Sequence, residues 1–198
     1  MNNVNCKDCN TSIKAAFNGH LNCLVYLHQN GCPWNESTCN YAALNGYLDC
    51  LTYAHENGCP WDEWICGYAA KNGHLDCLTY AHQNGCPWNV WTCRYAAKNG
   101  HLDCLKYTHL NGCPWDQYTC KYAALNSHLD CLVYAYQNKC PGYEIYHENI
   151  KKTLLKNNMA IFRTSLKLKI YANRFLKRYY SVGGVGYQKS LTHFSKLT

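Results

Sequence analysis

A 27-residue sequence unit repeats four times in succession, with no insertion or deletion between the copies. The copies follow one another at 27-residue intervals from His20, and a fifth begins at His128 and loses phase after Pro141. Residues 11–19, "TSIKAAFNG", form half a copy in front of the first. A fixed period of this length predicts a solenoid, because one short unit can bury its apolar face only against its neighbours.

Each unit predicts two short helices. In the third copy, Asn89 carries a side-chain oxygen that can accept hydrogen bonds from the free N–H groups of a first helical turn. The helix that it starts ends at Gly100, and a second helix runs from near His101 to Asn111. The pentapeptide "NGCPW" that follows each second helix then forms the corner to the next pair. In the other copies, the residues equivalent to Asn89 are Asn35, Asp62 and Asp116.

The two sides of the first helix differ in how much they vary between copies. In the second copy, helical spacing places Cys66, Ala69 and Ala70 on a side that hardly changes, which we expect to be buried. The opposite side changes in every copy and is rich in the Trp, Tyr and Arg residues that most often anchor protein interfaces. The predicted binding residues are Trp64, Gly67, Lys71, Trp91, Arg94, Lys98, Tyr118 and Lys121. Alternatively, the two tryptophans pack on the neighbouring Cys-Pro-Trp corner and leave only the polar members exposed.

The stretch "AAKNGHLDCLTYAHQNG" resembles the central signature of ankyrin repeats, in which an Ala pair ends the first helix, Asn-Gly-His turns the chain and a Leu-rich second helix ends in Asn-Gly. More narrowly, the Cys-rich 27-residue unit with "NGCPW" is similar to the ankyrin-like repeat proteins of giant DNA viruses of amoebae. The resemblance implies an all-α solenoid of stacked helix-turn-helix repeats. The unit is shorter than the usual ~33 residues, so the hairpin loops would be cut down to the corner.

These observations predict a binding protein and no enzyme. A solenoid repeats its side chains and does not gather different ones around a pocket, so we expect no catalytic residues and no cofactor. The chain has no run of about eighteen apolar residues and no export signal at its start, which favours an intracellular protein. We expect a monomer that binds another protein, and, if the viral resemblance holds, a host protein in the host cytoplasm or nucleus.

The chain contains 16 cysteines. Equivalent cysteines of stacked repeats should lie at a helix spacing of about 8–10 Å, which exceeds the roughly 7 Å Cα limit for a disulfide. Zinc is an alternative, since pairs such as His82 and Cys86 are four residues apart. The one C-x2-C pair, Cys6 and Cys9, has no evident second pair nearby. We therefore predict that the cysteines pack as small apolar side chains and that no metal is bound.

Charge divides the chain into two parts. The net charge is −2 up to residue 143 and +9 from residue 144 onward, which together make the overall +7. We predict an N-terminal half repeat at 1–19, a solenoid at 20–141, a basic helical cap at 142–180 and a flexible tail at 181–198. The basic segment suggests a second function, contact with nucleic acid or an anionic surface, with a solvated capping helix as the alternative. Its basic residues are Arg163, Lys167, Lys169, Arg174, Lys177 and Arg178.

Overall fold

A computed structural model describes residues 9–146 of the chain, and every regular element within them is helical. The helices are α1 (Ser12–Phe17), α2 (Leu21–Gln29), α3 (Glu36–Asn45), α4 (Leu48–Glu56), α5 (Trp64–Asn72), α6 (Leu75–Gln83), α7 (Val90–Asn99), α8 (Leu102–Leu110), α9 (Gln117–Leu125) and α10 (Leu129–Gln137), followed by a 3₁₀ turn at Tyr143–Tyr146. Two predicted segments lie outside the described residues. They are the part of the basic helical cap that carries the basic residues between 163 and 178, and the tail at 181–198. Among the helices from α1 to α10, none is long and apolar enough to cross a membrane.

The predicted helix starts are confirmed in three of the four copies, at Asn35, Asn89 and Asp116. The side chain of Asn89 accepts a hydrogen bond of 2.9 Å from the backbone N–H of Trp91, two residues later. In the second copy the helix begins one residue later than predicted, after Glu63, although the Asp62 side chain still accepts a hydrogen bond from the N–H of Trp64. Satisfying one of the orphan N–H groups at a helix start stabilises the helix by about 1 kcal/mol.

The helices stack in two layers. The odd-numbered helices α1, α3, α5, α7 and α9 pack in series in one layer, and the even-numbered helices pack in series in the other. The odd-numbered layer is the more closely packed, because Cys66, Ala69 and Ala70 and their equivalents are fully buried and let the backbones approach. This arrangement confirms the predicted all-α solenoid and the predicted buried side of the first helix.

Candidate functional site

Larger side chains join the even-numbered helices. The ring of His82, near the end of α6, stacks on Trp88 of the following corner, with centroids 3.8 Å apart. His82 Nδ1 lies 3.0 Å from the hydroxyl of Tyr107 on α8, one repeat later, and Trp88 meets the Tyr107 ring edge-on. We call this arrangement the His–Trp–Tyr seam. It recurs as His28–Trp34–Tyr53, His55–Trp61–Tyr80 and His109–Trp115–Tyr134.

The seam directs the histidine of each His-Cys pair, the alternative zinc ligands, away from its cysteine. His82 is directed at Tyr107, whereas the thiol of Cys86 donates a hydrogen bond of 3.1 Å to the carbonyl of Asp62, one repeat earlier. Burial lowers the pKa of His109 in the fourth copy, which favours a neutral imidazole. The corner motif is thus a packing element, in which Trp88 joins its own repeat to the next and Cys86 joins it to the one before.

The thiols of α4, α6, α8 and α10 are buried, and burial raises their pKa values, so they are protonated at neutral pH. Burial raises the pKa of Cys77 and of Cys104 to about 12. A thiol that stays protonated is a poor nucleophile and packs as a small apolar group. A second set of contacts joins cysteines 20 residues apart, such as Cys66, whose thiol lies 3.9 Å from the carbonyl oxygen of Cys86. The helix spacing used for the disulfide argument relates only cysteines one full period apart, so it could not predict these contacts.

The varied side of the odd-numbered helices carries a row of aromatic rings, one in each of three successive repeats. Trp64, Trp91 and Tyr118 occupy equivalent positions, and each is 38% exposed. Each ring is tilted over the tyrosine one turn later on its own helix, as Trp91 is over Tyr95 at 5.8 Å. The two tryptophans therefore pack on their own helices, and more than a third of each remains available to a partner.

Arg94 connects two members of this row. Its guanidinium lies 4.6 Å from the centre of the Trp91 ring and 4.7 Å from the centre of the Tyr118 ring. The same group forms an ion pair with Asp116, and the Nε atom donates a hydrogen bond of 3.1 Å to that carboxylate. The hydrogen bond to Arg94 holds the pKa of Asp116 below its ordinary value. Arg94 is only 14% exposed, so it orients the two rings and its charge is already compensated.

The other predicted site residues divide into exposed lysines and one buried glycine. Lys71, Lys98 and Lys121 are exposed on the varied side, with the ammonium of Lys121 5.6 Å from the Tyr118 ring. Gly67 was predicted among the exposed binding residues, but it is buried. A Cβ built there would lie 3.6 Å from the ring of Tyr95 on the next repeat. Gly67 therefore provides room for that tyrosine and offers no surface to a partner.

A shallow pocket opens beside the aromatic row, between α3 and α5. Its volume is about 160 Å³. The side chains around it are Ser37, Asn40, Tyr41, Leu44, Tyr68 and Lys71. The positions of Ser37, Asn40, Leu44 and Lys71 vary between copies, whereas the two tyrosines recur in every copy. The pocket itself depends on the spacing between two helices, which no sequence pattern reports.

Opposite charges lie on the two layers. The even-numbered helices α4, α6, α8 and α10 each carry an exposed aspartate in the first turn, where a negative charge interacts favourably with the helix dipole. These residues are Asp49, Asp76, Asp103 and Asp130. The exposed lysines of the varied side belong to the odd-numbered helices α5, α7 and α9. The face that carries the aromatic row is thus the more basic one.

Residues 12–55 and 66–107 match the family model for ankyrin repeats (many copies). Among solved structures, the chain is similar to the crystal structure of the human ASB11 ankyrin repeat domain, with a TM-score of 0.58 and 20% sequence identity over 65% of this chain and 69% of that one. No curated protein sequence matches the chain. The stacked helix pairs and the similar structure together show that the described part of this chain has the fold of an ankyrin-repeat solenoid, and the family match covers two stretches of it.

Proposed function

We propose that this chain is a non-enzymatic interaction protein that binds a partner protein through the varied side of its odd-numbered helices. The observation that carries the proposal is the row formed by Trp64, Trp91 and Tyr118. These large aromatic side chains occupy equivalent, exposed positions on one side of the stack, and exposed apolar surface of this kind marks binding sites. Trp and Tyr are also the residue types that most often dominate the binding free energy at interfaces.

The row is held in place before a partner arrives. Each ring rests on a tyrosine of its own helix, and Arg94 is held between Trp91 and Tyr118 by its ion pair with Asp116. An immobilised side chain loses less conformational entropy on binding, which is worth about 0.5–1.5 kcal/mol for each rotamer-rich side chain. The row therefore has the rigidity expected of interface anchors.

The exposed lysines indicate the chemistry of the partner. Lys71, Lys98 and Lys121 flank the rings, and within residues 9–146 none of them forms an ion pair like that of Arg94 with Asp116. A protein segment with acidic residues around an apolar side chain would match this surface, and the pocket between α3 and α5 would receive that side chain. If the resemblance to viral repeat proteins holds, the partner is a host protein, met by a monomer inside the host cell.

Affinity capture with the full chain tests the proposal. We expect proteins captured from amoeba lysate by the wild-type chain to be lost from a Trp91→Ala, Tyr118→Ala variant. The matched control is Tyr26→Ala, which removes an aromatic ring that is also exposed but lies on α2, in the other layer. The proposal fails if the row variant and the control variant retain the same proteins as the wild type.

The basic segment from residue 144 onward supports a second candidate, binding of nucleic acid or an anionic surface, because its net charge of +9 contrasts with the −2 of the rest. Such binding would weaken steeply with salt, since each neutralised phosphate releases a counterion. Replacing Arg174, Lys177 and Arg178 by Gln should then reduce retention of a single-stranded oligonucleotide. Capture of the protein partner should be unchanged, and this separates the two functions.

A further inference from the structure

Three groups that can bind a metal converge at the N-terminal end of the solenoid. The ligand atoms of Cys9, His20 and Cys23 all lie within 4.8 Å of one another. The thiol of Cys9 is 3.0 Å from Nδ1 of His20. Both cysteines are 7% exposed, whereas His20 is exposed. Within residues 9–146, no other three His, Cys, Asp or Glu side chains come together in this way.

The interior repeats explain why the cluster forms only at this end. His20 and Cys23 occupy the same positions in their copy as His101 and Cys104 in theirs. The ring of His101 lies against Gly73 of the preceding repeat. Before His20 the structure describes only α1 and the residues from Cys9 onward, and there the His20 ring contacts Cys9.

We propose that Cys9, His20 and Cys23 bind a zinc ion. Zinc is bound in proteins by thiolate and imidazole ligands in a tetrahedron, and these three side chains supply ligands of both types. The pair formed by His20 and Cys23 is hard to recognise in the sequence because H-x2-C also occurs in the interior repeats.

The geometry requires a small adjustment. Bond lengths of about 2.3 Å to sulfur and about 2.0 Å to nitrogen place the ligand atoms of a tetrahedral zinc site roughly 3.5–3.8 Å apart. The observed separations of up to 4.8 Å therefore close by roughly 1 Å when the ion binds. Each cysteine ligand loses its thiol proton to solvent on binding, and the neutral imidazole of His20 donates a lone pair.

A zinc ion here would join Cys9, which precedes α1, to His20 and Cys23 at the start of α2. It would therefore crosslink the first two described helices of the stack, which is a structural role. This role is independent of the proposed partner-binding surface, which begins farther along the chain.

Elemental analysis of the full chain, purified under reducing conditions with zinc supplied during expression, tests the proposal. We expect about one zinc ion per chain and loss of that ion in Cys9→Ala and in His20→Asn. The matched controls are Cys77→Ala and His74→Asn, which remove the equivalent H-x2-C pair from an interior repeat. Circular dichroism identifies any variant that fails to fold, and Co²⁺ substitution in the wild type should give the visible absorption of a tetrahedral thiolate site.

Hydrogen exchange on the wild-type chain provides a test that requires no variant. Removing zinc with a chelator should reduce amide protection in α1 and α2 and leave α9 and α10 unchanged. The proposal is overturned if the folded wild-type chain contains no metal, if Cys9→Ala retains its zinc, or if Cys9 and Cys23 are found joined in a disulfide.

Discussion

The His–Trp–Tyr seam and the aromatic row both contain Trp and Tyr rings, but the rings of the two regions contact different partners. In the seam, each ring set is identical in four copies, and the side chains of neighbouring repeats meet one another. In the row, the residue type changes between copies, and each ring rests on its own helix. The comparison shows that the seam aligns successive repeats along the even-numbered helices. The exposed side of the odd-numbered helices is therefore free to vary.

We expect the largest difference in unfolding free energy between alanine variants of two tryptophans in the third repeat, Trp88 of the seam and Trp91 of the row. Trp88→Ala removes the stacking partner of His82 and the edge contact with Tyr107, and we expect it to lower the free energy of unfolding by about 2–4 kcal/mol. Trp91→Ala removes a ring that touches mainly its own helix, and we expect a loss of about 1 kcal/mol or less. Urea denaturation followed by circular dichroism measures both. Equal losses would contradict the distinction between seam and row.

Two glycine turns provide an intermediate test. Gly73 and Gly85 both have left-handed φ angles, +79° and +80°, so an alanine at either position is strained by about 1–2 kcal/mol. A Cβ at Gly73 would also lie 2.5 Å from the His101 ring, whereas one at Gly85 would have no neighbour within 4 Å. We expect Gly73→Ala to be the more destabilising, because it also displaces an inter-repeat contact. Thermal unfolding of the two variants measures the difference, and similar midpoints would show that His101 moves away at no cost.

The smallest effect should come from the ion pair beneath the row. Asp116→Asn keeps the helix cap, because Asn35 and Asn89 make the same hydrogen bond in other copies, but it removes the charge that faces Arg94. We expect a loss of at most about 1 kcal/mol at neutral pH and low salt, since the pair is partly exposed.

The pH dependence of that loss has a defined sign. Arg94 lowers the pKa of Asp116 in the folded chain, so the pair stabilises the fold above the ordinary carboxyl pKa of about 3.9 and ceases to do so as the pH falls through the lowered value. The difference in unfolding free energy between wild type and Asp116→Asn should therefore disappear in acid. A difference that persists at low pH would mean that the carboxylate acts through something other than its charge.

Several features of the site could be predicted from the sequence, and the remaining features could not, for identifiable physical reasons. The caps, the buried alanine pair and the exposed aromatic positions follow from local hydrogen bonding and helical spacing. The alternative of a zinc site at His82 and Cys86 rested on their four-residue spacing, but α6 ends at Gln83 and the chain turns before Cys86. Gly67 was assigned to the exposed side by the same spacing, which cannot show that Tyr95 of the next repeat covers it.

The sequence by itself determined the period, the two helices of each unit and the stacking of the units, because these depend on hydrophobic spacing and on capping and turn residues that act within a few positions of themselves. Only the tertiary structure decided which side chains meet between repeats. The contacts of His82 with Tyr107, and of Cys9 with His20 and Cys23, depend on the distance and rotation between neighbouring elements. Those quantities are set by how closely buried side chains such as Ala69 and Ala70 allow the helices to approach.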